Sequence, residues 1–481
     1  GAAGEPSAAV GGGGVLGNGG TAADAAVAMY FALAVTYPSR AALGGGGSCL
    51  IYDVARAEAE ALVFLPLSAG GGTLPLGPRA MAALHARYGG LRWETLLSPA
   101  ETLARFGFDM SRALAQDFAA GGAALLATPD GRRIFAPGGT VAAGQPVVQA
   151  ELATLLGALR QQGAGYLHSG AFVARYVEAT ASVGLPISAE GLRAAVPAFV
   201  PRGEIETSGS FAFSARPPAA NGLLAAELYS LLTEADDFGG RDLADASHLF
   251  LEASARAFAD RAGWLGTAGA TTQPAAQVLE RAETADLDDQ RHQAVATLNP
   301  QPQAVVEPAG GTGFVVGDRF GNAVACSLTM NGLFGAGRIA PETGIVLAAP
   351  PPAGLSISPV AALVGTRGNG RLYFAGAGGD GAAAATALVR VMLEVLENER
   401  PLRDALAIPR VHHNGLPDVA FVEQSLAPAV QDQLRARGHE VRTLPAMGLV
   451  SAFFCPGSLR EPTGCAAAQD PRGFGLSQVA Q

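Results

Sequence analysis

The chain has 481 residues, 49% of them hydrophobic, and a formal net charge of −10. It is too apolar to be disordered and long enough for a large core or for two lobes that share one sheet system. Its basic residues are arginines and it has no lysine, so a nucleic-acid or anionic-membrane partner, a Walker-type phosphate loop and Schiff-base chemistry are all disfavoured.

The first strong element is a helix over residues 22–35, apolar on nearly every face and therefore expected to be buried. Thr21 is a suitable N-cap and Pro38 ends the helix. A strand follows in "SCLIYD", after four glycines at 44–47. Because no helix opens after these glycines, we interpret them as sites of tight interior packing rather than as a phosphate cradle.

Residues 74–296 change to amphipathic helical stretches such as "PRAMAALHARYGG" and "ELATLLGALRQQG". They predict a mostly helical lobe, followed by an acidic, then proline- and glycine-rich segment that suits an exposed connector. A composition boundary therefore falls near residues 300–311. We expect a region 1–311 before it and a region 312–481 after it.

Beyond the boundary, "TGFVVG" and "NAVACSLT" alternate about the turn "DRFGN", as a hairpin does. Residues 371–399 predict a strand, a glycine turn and a long helix, and residues 419–444 predict strand, helix and strand, with Gly438 just past the helix. Strands mixed with helices on both sides of a helical insert indicate an α/β layered core built from both halves of the chain.

The cysteines show no metal-type spacing and, in so long a chain, do not suggest a disulfide scaffold: Cys49, Cys326, Cys455 and Cys465. Cys49 and Cys326 stand in apolar strand-like runs, so we predict buried thiols. No apolar run reaches the length of a transmembrane helix. Gly1 is not a methionine, so either a targeting segment was removed or the start is truncated. We expect a periplasmic or secreted protein if a signal preceded Gly1, and a cytoplasmic protein otherwise.

Motifs for common hydrolases and zinc enzymes are missing, including GxSxG, HExxH and paired CxxC. The seven histidines are scattered, and only His412 and His413 adjoin. Adjacent strand residues point to opposite faces, so this pair is a poor metal site and structural histidines are the better interpretation. The sequence predicts neither a metal nor a cofactor.

Ordered motifs across almost the whole chain resemble the gamma-glutamyltranspeptidase family: "NGGTAADAAVA", "PSRAALGGGGSCLIYD", "GDRFGNAVACSLTMNGLFGAG", "LSISP", "FAGAGGDG" and "IPRVHHNGLPD", with "DPRGFG" near the end. The resemblance implies an αββα N-terminal-nucleophile hydrolase sandwich. It also implies one precursor that cuts itself into a large and a small fragment, which stay associated. The new N-terminal threonine then attacks a small acyl amide or peptide.

The chemistry of such a cut follows from the functional groups. A threonine hydroxyl is a weak nucleophile until a base accepts its proton, and a free α-amino group with a pKa of about 7.7–8.0 can be that base. By resemblance, Gly378 and Gly379 take the positions of the oxyanion turn, whose backbone N–H groups face the developing charge. Thr329 matches a threonine that assists the nucleophile, and Asn331 and Ser356 match residues of the donor pocket.

The cut site departs from the family pattern of two threonines followed by histidine, since this chain has "GGTGF". Alignment without gaps places Gly311 at the first threonine, so the nucleophile is lost. The alternative register slips by one residue, makes Thr312 the nucleophile and puts the cleaved bond after Gly311. A one-residue slip needs a β-bulge, for which Gly313 or Gly317 is suited.

The donor pocket departs as well. The family's carboxylate-binding arginine falls at Leu65 and its acidic partner falls near Ala353, so a zwitterionic glutamyl head should bind poorly. Arg40 and Arg338 lie near site motifs and are candidate replacements for the lost cation. The sequence therefore predicts a self-processing threonine amidohydrolase or acyltransferase of altered donor specificity. The alternative is a non-catalytic relative with a binding or structural role.

Overall fold

The structure is a computed structural model of the chain. It describes residues 1–206, 210–213, 221–233, 238–266, 271–299, 305, 307, 309–352, 360–367, 369–461 and 463–479. In this part of the chain, no helix has both the length and the apolar character needed to cross a bilayer.

The helices of the described residues are, in chain order, α1 (Pro6–Gly17), α2 (Ala22–Thr36), α3 (Pro38–Ala41), α4 (Gly77–Tyr88), α5 (Trp93–Phe106), α6 (Arg112–Gly121), α7 (Ala123–Leu126), α8 (Pro129–Phe135), α9 (Ala150–Gln162), α10 (Gly170–Ser182), α11 (Ala189–Ala194), α12 (Asn221–Thr233), α13 (Leu243–Trp264), α14 (Ala275–Glu283), α15 (Val295–Leu298), α16 (Ala383–Leu396), α17 (Leu402–Ala407) and α18 (Pro428–Ala436).

The strands are β1 (Ala2–Ala3), β2 (Gly46–Asp53), β3 (Glu58–Phe64), β4 (Ser68–Ala69), β5 (Gly72–Thr73), β6 (Phe108–Asp109), β7 (Pro146–Val147), β8 (Ala198–Pro201), β9 (Gly203–Glu206), β10 (Ser210–Phe213), β11 (Gly311–Gly317), β12 (Ala323–Thr329), β13 (Ile339–Ala340), β14 (Ile345–Val346), β15 (Ala361–Thr366), β16 (Leu372–Gly379), β17 (Val411–His412), β18 (Ala420–Glu423), β19 (Val441–Leu444), β20 (Leu449–Phe454), β21 (Ala466–Gln469) and β22 (Leu476–Ser477).

Two antiparallel sheets form the centre of the molecule. The first has the strand order β22-β1-β11-β12-β2-β3-β8 and the second β21-β20-β16-β15-β10-β9. Each sheet combines strands from before and after residue 311. Residues after 311 therefore cannot complete either sheet alone.

Alternation along β11 shows how the layers are arranged. Phe314 and Val316 lie in the core between the first sheet and helices such as α2, α4 and α5. Val315 lies between the two sheets with Ala375 and Ala377 of β16. The outer face of the second sheet packs against α12, α13 and α16. Since strand side chains alternate between faces, this pattern defines an α-β-β-α sandwich.

The strongest local predictions are confirmed. Helix α2 is buried along its whole length and begins with a capping box in which Thr21 and Asp24 exchange hydrogen bonds. The hairpin of β11 and β12 and the strand-turn-helix of β16 and α16 also form as expected. At Gly46 and Gly47 an added Cβ would lie 2.1 and 2.3 Å from backbone oxygens. Glycine is needed there for close packing, as the sequence suggested.

The span 74–296 contains short strands besides its helices, and β8, β9 and β10 extend the two central sheets at their edges. One expectation differs from the structure. The connector before residue 311 is not wholly exposed, since the Glu307 carboxylate forms a buried ion pair with Arg261 of α13. Sequence spacing gave no sign of either feature, because both depend on distant partners.

The prediction of buried thiols is wrong. Cys49 is bonded to Cys326, and Cys455 to Cys465. Cys49 and Cys326 stand directly opposite each other on β2 and β12, although 277 residues separate them in the chain. Strand register brings their sulfurs together, and no local pattern reveals that pairing. The Cys49–Cys326 disulfide crosses the boundary at residue 311.

Candidate active site

The ladder of β11 and β12 sets the geometry around residue 311. Its pairing runs without a register shift from Gly311 opposite Thr329 to Gly317 opposite Ala323. The bulge that the slipped register requires is therefore not in this hairpin, and that expectation at Gly313 or Gly317 is wrong. Gly311 and Thr329 face the space between the sheets, as the gapless alignment expects.

Thr312 takes the other face of β11. It is fully buried and shares that face with Phe314, next to the first helical layer. A Cβ added to Gly4 would lie 2.4 Å from Thr312 Oγ1, so the hydroxyl contacts the backbone of Gly4. Among the described residues, Thr312 Oγ1 has no hydrogen-bond partner.

The glycine turn of β16 lies directly on the peptide between Gly311 and Thr312. A Cβ on Gly379 would be 2.7 Å from Thr312 Cα and 2.9 Å from the Gly311 carbonyl carbon. Only glycine permits so close an approach. Gly378 is one residue further back, and its carbonyl accepts a hydrogen bond from Ser327 Oγ at 2.6 Å. Gly379 therefore lies against this peptide, and the oxyanion role of both glycines stays a prediction.

Arg40 of α3 is the cation of the site. Its Nη1 donates to the Gly311 carbonyl oxygen at 3.0 Å and to Asp380 Oδ1 at 2.8 Å. Its Nε and Nη2 donate to the two carboxylate oxygens of Asp117 at 2.7 and 2.8 Å. This bidentate pair fixes the plane of the guanidinium. The guanidinium of Arg40 therefore points at the Gly311 carbonyl and not into an open pocket.

The charges around Arg40 keep it cationic in a buried place. Arg40 and Asp117 are both more than nine-tenths buried. Burial opposes the charge of Arg40, but Tyr37, Asp380 and Asp117 raise the pKa of its guanidinium well above the ordinary value. Burial likewise raises the pKa of the Glu5 carboxyl, which lies one residue beyond Gly4. The site thus combines a fixed positive charge with a carboxyl that holds a proton more readily than usual.

Thr329 lies directly opposite Gly311, and Asn331 follows two residues later in the chain. The site roles that the resemblance implies for both residues stay predictions. The Asn331 backbone N–H donates to Thr329 Oγ1 at 3.0 Å, and the Asn331 amide donates to the Ala349 carbonyl at 3.0 Å. Asn331 has a positive φ of 54°, which asparagine tolerates better than most residues. The hydroxyl of Thr329 is thus tied to the Asn331 backbone, and the Asn331 side chain is tied to Ala349.

The residues expected in the donor pocket do not form a charged site among the described residues. Leu65 is buried in an apolar cluster with Val63 and Val360. Arg338 Nη1 donates to the Gly337 carbonyl at 2.9 Å, and no hydrogen bond joins it to Gly311. Ser356 and Ala353 lie outside the described residues.

Sequence reasoning missed Asp117 and Asp380, the two carboxylates that hold Arg40. Asp380 follows the glycine turn directly and has a φ of 77°, a left-handed conformation that aspartate adopts more readily than most side chains. The motif "AGAGGDG" therefore contained a signal for Asp380. Asp117 lies in an ordinary amphipathic helix, and nothing local sets it apart.

The two stacked antiparallel sheets between helical layers, with a glycine turn against a strand start, define an N-terminal-nucleophile hydrolase fold. The gamma-glutamyltranspeptidase family model matches residues 8–71, 66–349 and 355–479. The chain belongs to that family.

Similar proteins agree with this assignment. The chain is 28% identical to a glutathione hydrolase proenzyme of Escherichia coli, across 90% of this chain and 84% of the relative. It is also 28% identical to the acylase ACY 1 proenzyme of Pseudomonas sp. strain V22, across 96% and 90%. A crystal structure of cephalosporin acylase from Bacillus halodurans superposes with a TM-score of 0.79 at 21% identity, over 100% of this chain and 96% of that one.

Proposed function

We propose that this chain is a self-processing threonine amidohydrolase or acyltransferase that cuts itself between Gly311 and Thr312. The observation that carries the proposal is the hydrogen bond from Arg40 Nη1 to the Gly311 carbonyl, beside a threonine hydroxyl with no hydrogen-bond partner in the described part of the chain. A buried cation on a carbonyl oxygen stabilises the negative charge that develops there when a nucleophile attacks.

The self-cleavage is an acyl shift followed by hydrolysis. Thr312 Oγ1 bonds to the Gly311 carbonyl carbon as the bond from that carbon to Thr312 N breaks, and the hydroxyl proton passes to the nitrogen. Water then hydrolyses the ester, which leaves Gly311 as a carboxylate and frees the hydroxyl of Thr312. The products are fragments of 311 and 170 residues.

The cut also changes what Thr312 can reach. In the intact strand its side chain points to the helical layer, because the ladder fixes residues on both sides of it. After cleavage nothing precedes Thr312, so the terminal residue can rotate towards Thr329 and Gly379. Its free amine then takes the hydroxyl proton and passes it to the leaving amine of the substrate, and water or an acceptor amine releases the acyl group.

N-terminal sequencing of the small fragment tests the proposal most directly. We expect a fragment that begins Thr312-Gly313-Phe314. The fragments must be separated under reducing conditions, because the Cys49–Cys326 disulfide joins them. A preparation that remains one chain after prolonged incubation and transfers no acyl group contradicts the proposal.

A non-catalytic relative is the second candidate, and the unbroken register of β11 favours it. Gly311 occupies the place opposite Thr329, and a Cβ there would lie 2.6 Å from the Leu328 carbonyl oxygen. A side chain at residue 311 would thus not fit without a shift. This candidate predicts one intact chain with no turnover, whereas the enzyme predicts two fragments.

The altered pocket predicts the choice of acyl donor. Position 65, where the family has an arginine, is a leucine in an apolar cluster. Arg40 is already paired with Asp117 and Asp380, so neither position offers a free cation to an α-carboxylate. We expect less charged acyl amides to be better substrates than glutathione or gamma-glutamyl anilides, since a hydrogen bond to a charged group contributes about 1.5–3 kcal/mol. Steady-state kinetics on matched amides measures the preference. A kcat/KM for glutathione of about 10⁴ M⁻¹s⁻¹ or more, the ordinary enzyme range, contradicts it.

Thr329→Ala and Asn331→Ala are expected to lower acyl transfer by about 10²–10³, the usual cost of one positioned polar group in such a site, while the fold is retained. The matched control is Ser48→Ala, a buried hydroxyl on the neighbouring strand and the same face of the sheet, opposite Ser327. Turnover and circular dichroism are measured for all three. Unchanged turnover in both site variants would assign the pair a structural role.

A further inference from the structure

Histidines and carboxylates that are far apart in the sequence meet at the outer helical layer of the second sheet, away from Gly311. Their rings and carboxylates are in contact: His248, Glu252, His292, His413, Asp418 and His439. The sequence interpretation of scattered structural histidines missed this convergence. His248 and Glu252 lie one helical turn apart on α13, and His439 precedes β19.

Three of these side chains offer ligand atoms around one point. His248 Nδ1 is 2.8 Å from His439 Nε2, and His439 Nε2 is 3.7 Å from Glu252 Oε1. The three atoms all lie within 4.8 Å of one another. Ligands at about 2.0–2.1 Å from a tetrahedral Zn²⁺ are about 3.3 Å apart, so the two measured distances bracket that spacing.

The hydrogen bond to Asp288 puts the lone pair of His248 on the ring nitrogen that faces His439. His248 Nε2 lies 3.0 Å from the Asp288 carbonyl oxygen, which only accepts, so Nε2 carries the ring proton and Nδ1 keeps its lone pair. Metal-binding histidines are oriented by such a contact. Glu252 Oε2 accepts from the Gln293 backbone N–H at 2.9 Å, which fixes the carboxylate.

Without a metal, His439 Nε2 donates its ring proton to His248 Nδ1 at 2.8 Å, and an ion bound between the two rings would replace that proton. In the metal-bound state the ring proton of His439 lies on Nδ1, which has no hydrogen-bond partner among the described residues.

The second group, His292, His413 and Asp418, is a hydrogen-bond network instead. His413 Nδ1 accepts from the Gly415 backbone N–H at 3.1 Å, so its Nε2 carries the proton that it donates to Asp418 at 3.0 Å. His292 bridges the two groups, with one nitrogen 2.6 Å from Glu252 Oε1 and the other 2.9 Å from Asp418 Oδ1. It holds both carboxylates in place.

We propose that His248 Nδ1, Glu252 Oε1 and His439 Nε2 form a binding site for Zn²⁺ or a chemically similar divalent transition metal. Two imidazoles and one carboxylate suit such an ion, with a fourth position for water. The site joins α13 to the segment between α18 and β19, on opposite sides of residue 311. A bound ion would thus hold together the two halves of the chain, whether or not the chain is cut.

The test uses the full chain freed of metal by a chelator and then dialysed against Zn²⁺ or Co²⁺ alone. We expect one ion per chain by elemental analysis, a visible Co²⁺ spectrum of low-symmetry coordination, and a melting temperature that rises with added Zn²⁺. Glu252→Gln and His439→Gln should bind the metal at least about 100-fold more weakly. Losing a residue that only orients a ligand already costs up to about 100-fold in metal affinity, and these variants lose a ligand itself.

His413→Gln is the matched control, because it removes a buried histidine of the same cluster that is not one of the three ligands. We expect it to keep one ion per chain. The proposal is overturned if the wild-type chain binds no stoichiometric metal, or if His413→Gln loses the ion while the other two variants retain it. The wild-type measurement stands even if a variant fails to fold.

Discussion

Thr312→Ala is expected to leave a single chain of 481 residues where the wild type yields fragments of 311 and 170 residues. The variant removes the atom that attacks the Gly311 carbonyl carbon in the proposed reaction. It should also abolish acyl transfer, because both steps use the same hydroxyl. Denaturing electrophoresis and intact mass, each with and without reductant, measure the outcome. Without reductant the cut wild type should run as one species, held by Cys49–Cys326.

Two further variants separate chemistry from folding. Thr312→Val removes the hydroxyl but keeps the shape, and because Oγ1 has no partner among the described residues, no buried group is left unpaired. Thr312→Ser keeps the hydroxyl and should still be cut. The matched control is Thr180→Ala, an equally buried threonine of α10. Cleavage of Thr312→Ala, or its loss in Thr180→Ala, would contradict the assignment.

Arg40→Met is expected both to destabilise the fold and to slow self-cleavage. The buried Asp117 carboxylate loses its bidentate partner, and breaking a buried ion pair costs about 3–5 kcal/mol. The Gly311 carbonyl loses a charged donor, which should slow the cut by about 10²–10³. Urea unfolding of a cleavage-deficient Thr312→Val background measures stability, and a time course of fragment formation measures the rate.

A double variant distinguishes the two effects of Arg40. Arg40→Met with Asp117→Asn removes the unpaired charge, so stability should recover in part while cleavage stays slow. Arg338→Met is the control, since Arg338 binds its neighbour's carbonyl and not that of Gly311. If the double variant regains both stability and cleavage rate, Arg40 has only a structural role and the proposed mechanism is wrong.

The sequence alone determined the features that arise from local physics. An N-cap, an apolar run and a terminating proline predicted α2. Alternation about a turn predicted the β11–β12 hairpin, and the strand and helix around the glycine turn were also read from local pattern. The glycines at 44–47 were interpreted as close-packing positions, and at Gly46 and Gly47 an added Cβ would indeed collide with backbone oxygens. The order of the motifs identified the family before the fold was known.

Tertiary structure alone decided what depends on partners far apart in the chain. Arg40 meets Gly311 across 271 residues, Cys49 meets Cys326 across 277, and His248 meets His439 across 191. Each pairing follows from sheet register or from the packing of one layer on another. Sheet register and layer packing cannot be predicted from a local sequence repeat. The register of β11 is the clearest case. Its glycines are compatible with either a bulge or a regular ladder. The structure has the regular ladder, in which every residue of β11 is paired with a residue of β12.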